Sequence, residues 1–395
     1  MKRNFCLYLF LFSLLLTACN TQGVENSGKK ESVLEEQAEK WEVTDLYDNK
    51  VLLDINNVPE IDKSENMRVK MIRFEYPTDY IQVYNGHCYY MSYKEGIYTI
   101  YMDHGKVVGK FRSEGRYAVV GCTKYKEDFY VLYRDKEDHP EVSYVLEFGV
   151  VDFENQLIRR LHSTGDFFTS ICNDQVFYYY DGAITVKDFE GNLIKIINIP
   201  EEWCGIWIGK KNLYYSMMNE TEIKIQINYV DQNTEKAGTI LEYERDKTLL
   251  SKFNSALLVK LGDTVYLEEY LGNDDFYSSL YIIDAKKKKI ESVSSYVKIW
   301  TASDRYVFYT DKKHMIHRWD KKSGEDKKIS KIKTGDINCV GDKLYIREYD
   351  EYIDGDEFED DCDDYDDYLT ENESTAHYIY TMDFEGKNVS EVEAY

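Results

Sequence analysis

The chain has 395 residues, with 49 Lys and Arg against 73 Asp and Glu, a formal net charge of −24. Phosphate backbones are held by cations that displace counterions, so this balance argues against nucleic acid as a partner. Hydrophobic residues make up 43%, enough for a large core, and 37 Tyr against 4 Pro favours many short strands over helices.

Lys2 and Arg3 precede an apolar stretch of 12 residues, Phe5 to Leu16, broken only by Ser13. A bilayer crossing needs roughly 20 residues, so the stretch has the length of a signal-peptide core. It ends in Leu16-Thr17-Ala18-Cys19, which resembles a bacterial lipobox. The resemblance implies a signal peptide over 1–18, a diacylglyceryl group on the Cys19 thiol and cleavage just before it. An uncleaved anchor and an ordinary signal peptide are the alternatives. Two or more acyl chains anchor stably, so the expected location is a bacterial membrane, on its extracytoplasmic face. Residues 19–40 read as a tether with a reach of about 25 Å. Ser32 and Glu35 have capping-box spacing and Leu34, Ala38 and Trp41 share a face, which predicts a short helix from 33 to 41.

Residues 41–395 read as one domain. Met67–Glu75 alternates and is expected to be a strand that completes the last repeat or belongs to an extra one. From Tyr80 onward the chain repeats. An aromatic-rich doublet follows a turn pair at Cys88-Tyr89-Tyr90, Phe129-Tyr130, Val176-Phe177, Leu213-Tyr214-Tyr215, Val265-Tyr266, Val307-Phe308 and Leu344-Tyr345. Successive doublets lie 41, 47, 37, 52, 42 and 37 residues apart. Each is followed by an Asp-led turn, at Asp103, Asp152, Asp188, Asp231, Asp284, Asp320 and Asp383, and then by a last strand such as Lys106–Phe111 or Leu193–Ile197. Four short strands per repeat of this length is the arithmetic of a β-propeller blade. The expected fold is therefore all-β, a propeller of seven four-stranded blades, with six or eight as the neighbouring counts. Small residues in Ala118–Cys122 suit a first strand at the crowded channel, and the Tyr-rich second strand suits burial between blades.

The repeat resembles the Tyr-Trp-Thr-Asp class of propellers, known from receptor ectodomains and from bacterial lipoproteins of unassigned function. Val307-Phe308-Tyr309-Thr310-Asp311, followed by Met315 to Asp320, carries the likeness best. That class is typically six-bladed, one fewer than the repeats counted here. The resemblance implies a fold and a location, not a chemistry.

Enzyme motifs are sparse. Gly105–Lys110 and Gly205–Lys210 resemble phosphate loops but are one residue short and lie in strand context. His314 and His317 are spaced for opposite faces of a strand and read as an exposed turn. Cys122, Cys172, Cys204 and Cys339 fall on or near first strands and read as buried thiols; Cys122–Cys172 is the pair to test for a disulfide between blades. The last repeat carries an acidic insertion, 350–373, with 14 Asp and Glu and no Lys or Arg. It reads as a solvated loop, as a surface for a basic partner, or as a weak calcium site at Asp354, Asp356, Asp360 and Asp361, without the order of an EF-hand. No other cofactor is expected.

The expected function is that of a monomeric, membrane-tethered, non-enzymatic protein that binds a protein or a glycan at the cell surface. The rivals are a polysaccharide lyase or glycosidase, and a sensor or assembly subunit of a membrane complex. Calcium bound by the insertion should raise the melting temperature in millimolar Ca²⁺ more than Na⁺ of matched ionic strength does, and deleting 350–373 should remove the difference. Equal shifts would leave the solvated loop.

Overall fold

The computed structural model describes residues 40–61, 81–112, 117–135, 146–163, 169–180, 183–200, 203–219, 224–245, 253–271, 277–284, 286–348 and 378–392. Cys19, the tether before Lys40, the expected strand at 67–75 and the whole acidic insertion lie outside them.

An N-terminal hairpin, β1 (Lys40–Thr44) and β2 (Lys50–Asp54), is followed by a short 3₁₀ turn, Ile55–Asn57. Four-stranded antiparallel units then follow in sequence order. The first is β3 (Ile81–Tyr84), β4 (His87–Lys94), β5 (Ile97–Met102) and β6 (Lys106–Arg112). The second is β7 (Tyr117–Tyr125), β8 (Asp128–Asp135), β9 (Glu147–Asp152) and β10 (Leu157–Ser163). The third is β11 (Thr169–Cys172), β12 (Gln175–Tyr180), β13 (Ala183–Lys187) and β14 (Leu193–Asn198). The fourth is β15 (Trp203–Ile208), β16 (Asn212–Asn219), β17 (Lys224–Asp231) and β18 (Ala237–Glu244). The fifth is β19 (Phe253–Leu261), β20 (Thr264–Leu271), β21 (Tyr277–Asp284) and β22 (Lys289–Val297). The sixth opens with β23 (Trp300–Ala302), β24 (Tyr306–Thr310) and β25 (Met315–Asp320). Its last strand is the first half of β26 (Asp326–Val340), whose second half opens the seventh unit against β27 (Lys343–Glu348). β28 (Ile379–Asp383) and β29 (Ser390–Val392) complete that unit.

The units close on themselves. First strands lie against first strands, β3 beside β7, β15 beside β19 and β26 beside β3, so they gather at the centre and fourth strands face outward. The core is a circuit of clusters between units. Tyr89 and Phe111 of the first meet Val119 and Phe129 of the second, and Tyr130 and Phe148 meet Ile171 and Val176 of the third. Phe177 and Ile197 then meet Ile206 and Tyr215 of the fourth. The largest cluster runs from Trp207 through Tyr266 to Trp300 and Trp319, and Phe308 joins Ile337 and Leu344 of the seventh. Tyr345, Ile379 and Val392 of that last unit pack on Ile81, Cys88, Tyr90 and Tyr101 of the first. A ring of radially stacked four-stranded sheets is a β-propeller, as the repeat implies.

Each doublet does place its aromatic residue on the second strand. The three Asp-Phe-Glu turns gain a meaning that the sequence did not supply. Their Phe reaches back to the preceding unit: Phe153 approaches Gly109, where a Cβ would lie 2.3 Å from the ring. Phe189 stacks on Tyr130 with centroids 4.9 Å apart, and Phe384 lies 5.0 Å from Phe308. Glu385 of the last turn also pairs with Arg318 of the sixth unit.

The N-terminal segment departs from expectation. Trp41, placed on a helix by the sequence pattern, sits in β1, because the hairpin finds two sheet edges to extend. Leu53 of β2 pairs with Leu241 of β18, and Thr44 of β1 with Lys289 of β22, so the fourth and fifth units and the hairpin form one ten-stranded sheet. The described part of the segment therefore closes the outer edges of these two units and not the last repeat. Covering an edge removes a template for mispairing. The chain then turns inward: Asn212 Nδ2 donates to Asn57 Oδ1 at 3.3 Å, and Lys260 of β19 exchanges backbone bonds with Pro59 and Ile61 at 2.8 and 2.9 Å.

Most turn aspartates accept their own turn's amides, for example Asp231 Oδ1 from the Asn233 and Thr234 N–H at 2.9 and 2.8 Å. The Asn155 side chain and backbone hold the Asp152 carboxyl below its usual range, Asn192 does the same for Asp188, and the Thr234 N–H for Asp231. A carboxyl whose folded pKa is depressed contributes stability above its unfolded value, about 3.9, and loses it as pH falls through the folded value. The melting temperature should fall as pH drops from about 5 to about 3, and less so in Asp152→Asn/Asp188→Asn/Asp231→Asn. An unchanged slope in that variant would contradict the assignment.

Candidate functional site

Each antiparallel unit has two ends. One carries the turns between first and second and between third and fourth strands, where the turn aspartates sit. The other carries the second-to-third connections and the links between units. Buried ionic groups that cap no turn gather at this second end: Glu147, Arg245, Glu269, Asp336 and Arg347. Among the described residues Lys124 and Asp54 are the exceptions: the Lys124 ammonium lies 4.6 Å from the Phe129 ring centre at the opposite end, and Asp54 of the hairpin accepts from Asn57 Nδ2 at 3.0 Å.

Glu147 begins β9 and takes a fork from Arg160 of β10, Nε at 2.8 Å and Nη2 at 2.9 Å, with the Ser163 hydroxyl at 3.0 Å. Glu269 of β20 is fully buried. It accepts from the Tyr243 hydroxyl at 2.8 Å and from Arg245 Nη2 at 2.6 Å, and the same nitrogen lies 2.5 Å from the Tyr281 hydroxyl. Burial pushes the Glu269 carboxyl above its ordinary range, against the pull of Arg245, and pushes the Tyr243 phenol well up. Asp336 and Arg347 stand opposite each other across β26 and β27, and Asp336 Oδ1 accepts the Ile337 N–H at 2.7 Å.

Partly exposed aromatic groups lie at the same end. Tyr277 and Tyr296 stack with centroids 4.3 Å apart and planes 13° apart, and Lys312 Nζ lies 5.4 Å from the Tyr296 ring. Tyr93 lies 4.6 Å from Tyr98. Tyr378 is 52% exposed, and its neighbour Tyr380 donates to Glu348 at 3.3 Å. Flat apolar rings with hydroxyls and a cation at their rim suit a sugar ring or a protein side chain.

The inner strands hold a feature that the sequence reading missed. Gln82, Thr123, Ser170, Thr301 and Asn338 are buried polar residues, each opposite the aromatic of its unit's doublet: Tyr89, Tyr130, Phe177, Phe308 and Tyr345. Gln82 joins two units. Its Oε1 accepts the Lys124 N–H at 2.6 Å and its Nε2 donates to the Lys124 carbonyl at 3.2 Å. The only signal for this set was one polar residue a few positions before each turn.

One expectation needs correction, and one open pairing is answered. His317 lies in β25 and is only 20% exposed; its ring stacks on Tyr309 of β24, with Asp311 and Asp326 both at 3.2 Å, because it is flanked by side chains of its own sheet rather than placed in a turn. Only His314 is a turn residue, with φ at 60°. Cys172 donates its thiol hydrogen to the Gly209 carbonyl of the next unit at 3.5 Å, so the contact between units at this position is a thiol's and not a disulfide to Cys122. Cys19, Asp354, Asp356, Asp360 and Asp361 lie outside the described residues.

No protein-family model matches the chain, and no curated protein matches it. Among solved structures it is similar to BamB from Moraxella catarrhalis, at 10% identity and a TM-score of 0.42, over 70% of this chain and 95% of that one. It is also similar to an oligogalacturonate lyase in complex with manganese, at 12% identity and 0.40, over 66% and 73%. A prolyl endopeptidase is similar at 14% identity and 0.43, over 69% of this chain and 42% of that one. The likeness is one of chain path and says nothing of what this chain binds. No described helix is long and apolar enough to cross a membrane.

The Arg245–Glu269 pair should behave as a buried bridge between the fourth and fifth units. Arg245→Met leaves a buried carboxylate unpaired and should cost about 3–5 kcal/mol, while Arg245→Met/Glu269→Leu should recover most of that in chemical denaturation. Equal losses in both variants would show that packing, not the unpaired charge, sets the cost.

Proposed function

We propose that this chain is a lipid-anchored, extracytoplasmic binding protein of the Tyr-Trp-Thr-Asp-like class, without catalytic activity, whose ligand is a protein or a glycan. The observation that carries the reading is the end of the ring that holds the second-to-third connections. The Glu147–Arg160 and Arg245–Glu269 pairs lie at the same end as Tyr277, Tyr296 and Tyr378, which are partly exposed there, an arrangement that supports a preformed surface. The described carboxyl with a raised pKa, Glu269, is fully buried and held by Tyr243 and Arg245, which supports binding over acid catalysis. The lyase or glycosidase reading needs two convergent acids that water can reach.

The anchor and the surface have separate tests. Labelled palmitate should enter the protein in a bacterial host, and Cys19→Ala should abolish it; a Cys19→Ala chain that still labels overturns the lipobox reading. On glycan arrays and in surface cross-linking, Tyr296→Ala/Tyr378→Ala should lose about tenfold or more in ligand capture, with the melting temperature within a few degrees, since stacked rings add roughly 1–3 kcal/mol at such sites. Unchanged capture would move the ligand elsewhere.

A further inference from the structure

The sixth unit is charged against the rest of the protein. Residues 298–333 hold 11 Lys and Arg against 5 Asp and Glu, a balance of +6 in a chain of −24. Three of its five acids, Asp311, Asp320 and Asp326, are held by groups within the unit. Asp320 takes Arg305 and two turn amides, at 2.9 and 3.1 Å for the amides. Asp311 and Asp326 flank His317, and Asp326 also accepts the Tyr309 hydroxyl at 2.8 Å. Lys322, Lys327, Lys328 and Lys331 are exposed, three of them along β26, the outermost strand of the unit.

The start of the described chain lies close by in the ring. β1 pairs with β22 of the fifth unit, whose neighbour is the sixth. The composition of residues 20–39 reads as a tether with a reach of roughly 25 Å, which on the lipid-anchor reading would keep this rim near the bilayer. Charges interact over a Debye length of about 8 Å in physiological salt, so the local balance at the rim governs contact and not the net −24. The excess acid elsewhere is repelled by the same anionic surface and orients the molecule in the same sense. One lipid anchor joined by a basic patch is a recognised way to gain residence at a membrane.

We infer that the lysine rim of the sixth unit is the surface on which the anchored protein lies against an anionic bilayer, which leaves part of the ring facing away. This rests on the lipid-anchor reading. The test places the full chain on vesicles of phosphatidylcholine alone or mixed with phosphatidylglycerol, acetylates it briefly, and reads each lysine by mass spectrometry. Lys327, Lys328 and Lys331 should label roughly fivefold slower on the anionic vesicles, the factor that one lysine gains in such a surface potential, while Lys106 and Lys236 should not. Half-molar salt should abolish the difference, as should Lys327→Gln/Lys328→Gln/Lys331→Gln at Lys322. Equal labelling on both vesicles overturns the inference, and aggregation of the variant with equal labelling would show that these lysines only guard a sheet edge. Protection by soluble polygalacturonate but not by anionic vesicles also overturns it, in favour of an acidic glycan. Failure to attach to phosphatidylcholine vesicles refutes the anchor and leaves the anionic comparison readable.

Discussion

Burial of one unit's aromatic second strand against its neighbour is the contact on which the rest of the structure depends. No four-stranded sheet here has a core of its own. Tyr90, Phe111, Phe148, Phe177, Tyr266 and Phe308 are each less than 2% exposed, and each reaches that state through residues of an adjoining unit. Among the described residues no unit precedes the first, and Tyr90 is buried with Tyr345 of the last. Closing the ring is thus a condition of burying the ends.

Polar groups then specify which neighbour and which register. The Gln82 amide reproduces a strand's hydrogen bonds between the first two units, and Arg245 and Tyr243 meet Glu269 across the fourth and fifth. Such pairs add little net stability but penalise any misfit heavily, since a buried charge without its partner is costly. The same rigid frame lets half-exposed tyrosines stand in fixed positions at one end, which is what a recognition surface needs.

How much of this was legible in the sequence follows from range. The doublets and turn aspartates repeat locally, so spacing alone revealed the units, their strand order and the burial of Tyr89 or Phe308. The role of Phe153, Phe189 and Phe384 was half visible: the motif stood out, but its target lies in the preceding unit. The place of Trp41 in β1 was missed because Leu34, Ala38 and Trp41 have helical spacing in the sequence, while the edges of β18 and β22 that draw in β1 and β2 lie some 190 to 250 residues away. The Arg245–Glu269 pair leaves no periodic trace, since each partner is an ordinary charged residue in an acidic chain.

Removing the seventh unit tests the closed ring most directly. A chain ending at Lys333 keeps every strand of the first six units, yet strips the partner from Tyr90 and Tyr101 on one side and from Phe308 on the other. Unfolding followed by tyrosine fluorescence and far-UV dichroism should show one coincident transition in the full chain, and in the truncated chain a loss far beyond one unit's share. Six units that keep their full-chain stability and unfold in separate steps would contradict the account, because each sheet would then need only its nearest neighbour and not the ring.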